Sequence, residues 1–194
     1  MDLSEALQQI DAIHAHVARG ETYRGYHAHA LAASGLLGLA AAFVQPTAFL
    51  PYWCAVGVLA GLIAAAPTLI DYFTRDTPLG RRRTRIVCRQ FAPCLLAGVA
   101  LTLAFTRSEY REMGLPLLPG AWALLFGLGT VASLPYLPRL ASVVAVWYLA
   151  AGAVLLWTVQ GPVPAGWTVG VPFGVGQLMA AAVLWLDRRE GADD

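Results

Sequence analysis

The sequence contains no lysine and no asparagine, and only 13% of its 194 residues are charged. A soluble domain of this size usually carries about 25% charged residues, so the shortage of charge excludes an ordinary soluble globular protein. The hydrophobic share is 58%. That share also excludes a disordered chain, because disorder requires low hydrophobicity and high net charge. A chain this apolar is predicted to lie in a lipid bilayer.

The sequence also lacks the motifs of common enzymes and metal sites. Its three cysteines have no CxxC spacing and an odd count, which predicts reduced structural thiols rather than a disulfide framework. It has no HExxH, GxGxxG or GxxxxGK[ST] motif and no paired carboxylates inside its apolar runs. We therefore expect a protein that is not an enzyme and that holds no metal and no cofactor.

What the sequence does contain is a series of six apolar runs. They cover residues 26–44, 49–73, 91–105, 121–137, 140–159 and 167–186, the third being short unless residues 86 and 87 extend it. A membrane-spanning helix needs about 20 apolar residues. Tryptophans lie near the ends of these runs, where the amphipathic indole ring prefers to sit. The predicted fold is an all-α polytopic membrane protein, a bundle of six transmembrane helices.

A separate helix is predicted before the first span. Five apolar residues recur there at steps of three and four and so share one helical face: Leu3, Leu7, Ile10, Ile13 and Val17. The predicted organisation is an N-terminal cytoplasmic amphipathic helix over residues 1–22, the six-helix bundle over residues 23–188, and a polar cytoplasmic tail over residues 189–194.

The arginines predict the orientation of the bundle. Eleven of the 13 arginines fall in the two terminal segments and in the loops after the second and fourth spans, and the other two are Arg107 and Arg111. Positively charged residues stay on the cytoplasmic side, so both termini are predicted to be cytoplasmic. The arginine-only, Ala/Gly/Pro-rich composition suggests a GC-rich bacterial genome. The predicted location is therefore the bacterial inner membrane.

All four histidines lie within the first 29 residues, in two HAH triplets. Residues two apart point in nearly opposite directions on a helix, so neither triplet can chelate one metal ion from one helical face. A haem iron held between two spans needs a histidine on each of them, and the second to sixth spans contain no histidine. His27 and His29 are expected at the cytoplasmic interface of the first span. A proton-relay or pH-sensing role is open to either if it faces the bundle.

Two further polar side chains fall inside the spans, where they are costly and therefore candidates for function. Gln177 lies near the middle of the sixth span, where its amide could bind a substrate or join neighbouring helices by a hydrogen bond. Asp71 lies at the cytoplasmic end of the second span, where we expect it to pair with an arginine of the adjoining loop. The alternative for Asp71 is an ion or proton ligand.

Small residues spaced four apart permit helices to approach closely. Such pairs occur at Gly57 and Gly61, at Gly170 and Gly174, and at Ser34 and Gly38. They predict tight helix packing without identifying a dimer face.

The densest basic segment is Arg81-Arg82-Arg83-Thr84-Arg85. Because it adjoins the cytoplasmic end of a predicted span, we expect these arginines to contact anionic lipid headgroups rather than nucleic acid.

Parts of the second half resemble a known family. The segments are LPGAWALLFGLG at residues 118–129, YLAAG at residues 148–152 and PFGVGQL at residues 172–178. In these segments the chain resembles an uncharacterised family of small six-span bacterial membrane proteins, whose members are often encoded beside winged-helix regulators. The resemblance implies a membrane or stress context and no established activity. The stretch of residues 26–29, which includes His27 and His29, departs from the family pattern.

Three functional hypotheses follow. The leading one is a non-enzymatic integral membrane protein that acts as an assembly, regulatory or sensory subunit, in contact with the lipid bilayer and with a membrane partner or further copies of itself. The alternative is a small oligomeric transporter or channel with Gln177, Asp71 and His27 or His29 along its path. The third is a haem or quinone redox subunit.

Overall fold

The computed structural model describes residues 27–107, 109–158 and 161–193. The predicted amphipathic helix over residues 1–22 lies outside the described residues. Six helices of more than one turn occur in the part described: α1 (Ala28–Val44), α2 (Phe49–Thr74), α3 (Pro78–Phe105), α4 (Leu118–Ser133), α5 (Ala141–Thr158) and α6 (Trp167–Asp193). Short helical turns at Arg111–Gly114, Leu115–Leu117 and Leu134–Tyr136 extend α4 at both ends.

Five helical segments within the described residues are long and apolar enough to cross a membrane: α2, α3, α4 with its flanking turns, α5 and α6. α1 is equally apolar but has only 17 residues, which is at the lower limit of about 17–25 for a transmembrane helix. The predicted all-α membrane fold is confirmed. The predicted polar tail does not interrupt α6, whose backbone stays helical to Asp193.

α3 begins at Pro78 rather than near residue 91, so the arginine-rich segment predicted as a loop is helical. The Thr77 side chain accepts a hydrogen bond from the backbone N–H of Gly80 at 3.2 Å. A capping threonine followed by proline at the first helical position is a strong helix start. Arginine is also a good helix former, so nothing in this segment opposes the helix. The connection between α2 and α3 is left with three residues, 75–77.

The helices pack in the order α2, α1, α6, α5, α4, α3, with a further contact between α4 and α6. α2 and α3 are consecutive in the chain but hardly touch each other. Their buried residues are few: Phe49, Trp53 and Thr68 in α2, and Thr84 and Val87 in α3. These two helices therefore form the least covered part of the bundle.

The closest helix contact joins α1 to α6 through small residues. A Cβ added to Gly174 would lie 2.5 Å from Leu39 Cγ and 2.9 Å from the Gly35 carbonyl oxygen. A Cβ added to Gly170 would lie 2.6 Å from the Gly38 carbonyl oxygen. Glycine is required at both positions of α6 because any side chain would collide with the backbone of α1.

Three hydrogen bonds join the helices at the end of the bundle where α1 ends and α2 begins. Gln45 Oε1 accepts a hydrogen bond from Trp53 Nε1 at 2.6 Å, and Gln45 Nε2 donates to the Pro164 carbonyl oxygen at 3.0 Å. Trp122 Nε1 of α4 donates to Thr102 Oγ1 of α3 at 2.9 Å. We call this the tryptophan end, and the opposite end, where α3 begins with its arginines, the arginine end.

Candidate functional site

At the arginine end, His27 and Asp71 meet. His27 precedes the first turn of α1 and Asp71 lies in the last turn of α2, with His27 Nε2 2.8 Å from Asp71 Oδ2. The Arg75 guanidinium approaches the other carboxylate oxygen at 3.7 Å. The Asp71 side chain is 27% exposed and that of His27 is 23% exposed. The predicted arginine partner of Asp71 is therefore present, and His27 is a second, closer partner.

His29 does not join this pair by hydrogen bonding. Its ring lies edge-on to that of His27 with the ring centroids 5.5 Å apart, and the residue is exposed. Across the described residues, no group of three or more His, Cys, Asp or Glu side chains is placed to hold a metal ion. This region forms an interhelical polar clamp, which joins the residue before α1 to the last turn of α2.

Gln177 lies in a different part of the bundle, between α1 and α5. A Cβ on Gly35 of α1 would lie 3.0 Å from Gln177 Cβ. Gly35 is eight residues after His27, about 12 Å along the helix. The predicted candidates thus separate into two groups: His27, His29 and Asp71 at the arginine end, and Gln177 deeper in the bundle.

The neighbour of Gln177 on α5 is Tyr148, which is 1% exposed. The Tyr148 hydroxyl donates to the Phe173 carbonyl oxygen at 3.4 Å, and the Gln177 side chain also approaches this hydroxyl. Gln177 Oε1 is buried and has no hydrogen-bond partner among the described residues. A buried polar atom without a partner costs about 1–3 kcal/mol, so Gln177 is either tolerated at a cost or used by a bound group.

An aromatic cluster fills the interior around Tyr148. Phe126 of α4 lies 4.7 Å from Tyr148 and 5.5 Å from Phe173 between ring centroids, and Phe91 of α3 lies 4.8 Å from Phe126. Edge-to-face and tilted ring pairs at these distances are favourable. The cluster connects α3, α4, α5 and α6.

The sequence pattern did not single out Gln90. Its Oε1 is also buried without a partner in the described part of the chain. Gln90 was missed because the third span was predicted to begin at residue 91, which placed Gln90 in a loop. The signal that could have found it is the regular spacing of Thr84, Val87 and Phe91, which places Gln90 near the inner face of one continuous helix.

The four arginines predicted to meet lipid differ in their placement. Arg81, Arg82 and Arg85 are exposed, whereas Arg83 is half-buried. The Arg81 guanidinium lies 5.8 Å from the centre of the Tyr72 ring and donates to the Phe73 carbonyl oxygen at 3.4 Å. This end of α3 therefore presents a basic surface, with Arg81 anchored on the end of α2.

The two glycine pairs predicted to pack behave differently. Gly170 and Gly174 face α1, but a Cβ at Gly57 or at Gly61 would meet nothing within 4 Å. Eight more glycines would bring an added Cβ within 3.0 Å of a neighbouring residue: Gly35, Gly114, Gly120, Gly127, Gly129, Gly152, Gly166 and Gly176. The Gly57 and Gly61 pair is exposed and packs against no other helix in the part of the chain that the structure describes.

Two open hollows lie on the outside of the tryptophan end. One, of about 520 Å³, is lined by residues of α1 and the start of α6, including Gln45 and Trp167. The other, of about 400 Å³, is lined by the end of α3 together with Arg107 and Tyr110. Neither hollow is lined by His27, Asp71 or Gln177.

The chain matches no protein-family model, no curated protein and no solved structure. The resemblance to small six-span bacterial membrane proteins therefore stays a prediction, based only on the residues that suggested it.

Proposed function

We propose that the protein is a non-enzymatic integral membrane protein that acts as an assembly, regulatory or sensory subunit, and that the face of α2 containing Gly57 and Gly61 contacts its partner helix. We place it in the bacterial inner membrane with both termini cytoplasmic. The arginine end, which holds Arg81, Arg82 and Arg85, would then face the cytoplasm.

The open space beside Gly57 and Gly61 is the observation that supports the assembly role best. Glycine inside a helix costs about 0.8–1.0 kcal/mol relative to alanine. Elsewhere in the described part of the bundle, ten glycines allow close packing that an added Cβ would disrupt. Among the residues that the structure describes, none lies close enough to Gly57 or Gly61 to offset this cost by packing. A helix of a partner or of a second copy packed on this face would supply that packing.

The experiment compares substitutions on two sides of α2 in native membranes. Gly57→Leu combined with Gly61→Leu fills the open face. Ala66→Leu adds the same side chain at an exposed position about 180° around the helix from Gly57. Each variant is extracted in mild detergent and run on native electrophoresis. We expect the wild type and Ala66→Leu to migrate as a complex and the glycine variant to migrate as a monomer.

A third variant tests whether the complex requires the candidate polar side chains. His27→Gln, Asp71→Asn and Gln177→Asn are combined. The complex should persist because Asp71, the one of the three on α2, lies about 15 Å along the helix from Gly61. Equal migration of all variants, with each one folded, would overturn the assembly proposal. Loss of the complex only in the polar triple variant would also overturn it.

The second candidate, an oligomeric transporter or channel, is favoured by a specific observation. Gln90 and Gln177 each bury an oxygen without a partner among the described residues, and such atoms are available to bind a solute or an ion. Liposomes containing the purified protein would test it. Flux of an ion or organic solute that Gln177→Leu abolishes would establish this role, and absence of flux for all solutes tried would count against it.

The third candidate, a haem or quinone redox subunit, rests on the histidines alone. An absorption spectrum of the protein purified from its native membrane tests it directly, since a haem gives strong visible bands and a bound quinone absorbs in the ultraviolet after extraction.

A further inference from the structure

The outward face of α3 changes from basic to apolar along its length. Arg81, Arg85 and Arg89 recur every four residues and are exposed. Four exposed apolar residues continue the same face at alternating steps of three and four: Ala92, Leu96, Val99 and Leu103. At 100° per residue these seven positions form one stripe opposite buried Val87. Leu96 is 68% exposed and Leu103 is 63% exposed.

The length of α3 places the change in character at the membrane boundary. Its 28 residues rise about 42 Å at about 1.5 Å per residue. The hydrocarbon core of a bilayer is about 30 Å thick. About 12 Å, or about eight residues, therefore lies outside the hydrocarbon. With Leu103 near the far boundary, Arg81 and Arg85 lie at the level of the headgroups, and Arg89 reaches that level by extending its long side chain.

No carboxylate of the described residues neutralises the charges on this stripe. Among the described residues, Arg82, Arg85 and Arg89 form no ion pair with a carboxylate, and Arg75 is the arginine that approaches Asp71. Arg81 contacts the Tyr72 ring and the Phe73 carbonyl oxygen, neither of which carries a charge. The N-terminus of α3 does not contribute to the site, because the Asp76 carboxyl group already lies beside Gly80 in its first turn.

We infer that this stripe binds one anionic phospholipid, with its phosphate between Arg85 and Arg89 and one acyl chain along Leu96, Val99 and Leu103. The inference differs from the predicted set of lipid contacts in that it includes Arg89 and leaves out the half-buried Arg83. It does not depend on the proposed assembly role, since the stripe lies on α3 and the open glycine pair on α2.

A phospholipid fits better than a free phosphate because the basic and the apolar parts are continuous on one helix face. A guanidinium group pairs with phosphate through two parallel hydrogen bonds, and two arginines one turn apart can engage one phosphate group. A free phosphate ester would use only the arginines and would leave the adjoining apolar stripe unused.

The test measures lipid retention by native mass spectrometry of the purified full chain, with phosphatidylglycerol and phosphatidylcholine of equal chain length as probes. We expect the wild type to retain phosphatidylglycerol preferentially. Arg85→Gln combined with Arg89→Gln should reduce that preference at least ten-fold, since each arginine near an anionic surface contributes about five-fold. Arg107→Gln combined with Arg111→Gln removes the same charge at the tryptophan end and should change the preference less than two-fold.

Two further measurements identify what is recognised. Leu96→Asn combined with Leu103→Asn should lower phosphatidylglycerol retention several-fold with every arginine intact. Glycerol phosphate, which has the same headgroup chemistry without acyl chains, should not displace the lipid at millimolar concentration.

Three outcomes would overturn the inference, provided that thermal unfolding shows each variant to be folded. They are equal loss of preference in both arginine pairs, displacement of the lipid by glycerol phosphate, and full retention in the Arg85 and Arg89 variant.

Discussion

Two glycine pairs with the same spacing have opposite environments in this bundle. Gly170 and Gly174 of α6 lie against α1, where an added Cβ would come within 2.6 Å and 2.5 Å of its residues. Gly57 and Gly61 of α2 face open space. A small-residue pair therefore indicates a face suited to close approach and does not indicate whether the partner helix belongs to the same chain.

The same contrast extends to whole helices. Tyr148 of α5 is 1% exposed, whereas Val58 and Leu62 of α2 are 64% and 58% exposed. In a bilayer, exposed apolar side chains carry little penalty because the lipid is as apolar as they are. Helix association therefore depends on close packing and polar contacts, and among the described residues the packing is densest between α1 and α6 and between α4 and α5.

The largest predicted effect on stability comes from placing a leucine in one glycine pair and comparing it with a leucine in the other. Gly174→Leu should destabilise the protein strongly, because the new side chain would collide with Leu39 and with the backbone at Gly35. Overpacking of this kind costs about 1–3 kcal/mol and more where backbone blocks relaxation. Gly57→Leu, the matched substitution, should leave the unfolding midpoint of the monomer unchanged. Thermal unfolding in detergent measures both. Equal losses of stability would show that α2 is covered within the monomer and would remove the contrast.

The second effect concerns the tryptophan end, where polar contacts connect α1 with α2. Gln45→Ala should lower the free energy of unfolding by about 1–3 kcal/mol, because it leaves the buried Trp53 N–H and the Pro164 carbonyl oxygen without their partner. Thr158→Val is the control, since that exposed hydroxyl bonds only within its own helix. Denaturant unfolding followed by tryptophan fluorescence measures the loss. A Gln45 variant as stable as the control would mean that the polar contacts at the tryptophan end do not hold α2 in place.

The sequence was sufficient for the fold class because uncharged apolar runs of membrane length rarely occur outside membrane-spanning helices. The sequence was insufficient for the start of α3, because hydropathy identifies only the part of a helix that lies in the hydrocarbon of the bilayer. The helix begins earlier, at Pro78, in a polar segment. The contact of His27 with Asp71 was also beyond the sequence. It depends on how α1 and α2 align along their length, which is set by packing at residues such as Trp53 and Leu31. Spacing alone likewise did not distinguish Gly57 from Gly174.

A smaller effect is expected at the arginine end, where a polar clamp connects the same two helices. Asp71→Asn should cost about 0.5–1 kcal/mol, because the partly exposed carboxylate loses its charge attraction to Arg75 while the amide can keep one hydrogen bond to His27. Asp76→Asn provides a matched control in the adjoining connection. Unfolding at low and high salt distinguishes the cases, since salt screens only the charged clamp. A loss in Asp71→Asn that exceeds the effect of Gln45→Ala would reverse the order proposed for the two ends.

The smallest effect is predicted for the buried amide between the well-packed helices. Gln177→Leu replaces an oxygen that lacks a partner in the described structure by an apolar group of similar size. Such a replacement is nearly neutral or stabilising, because the desolvation penalty of the oxygen disappears and little is lost in exchange. The contact with the Tyr148 hydroxyl opposes this gain weakly, since that hydroxyl keeps the Phe173 carbonyl oxygen as its acceptor. We expect the unfolding midpoint to stay the same or to rise slightly. A marked fall would show that the amide holds helices together through a group bound at Oε1, and the well-packed half of the bundle would then contain a binding site rather than a closed core.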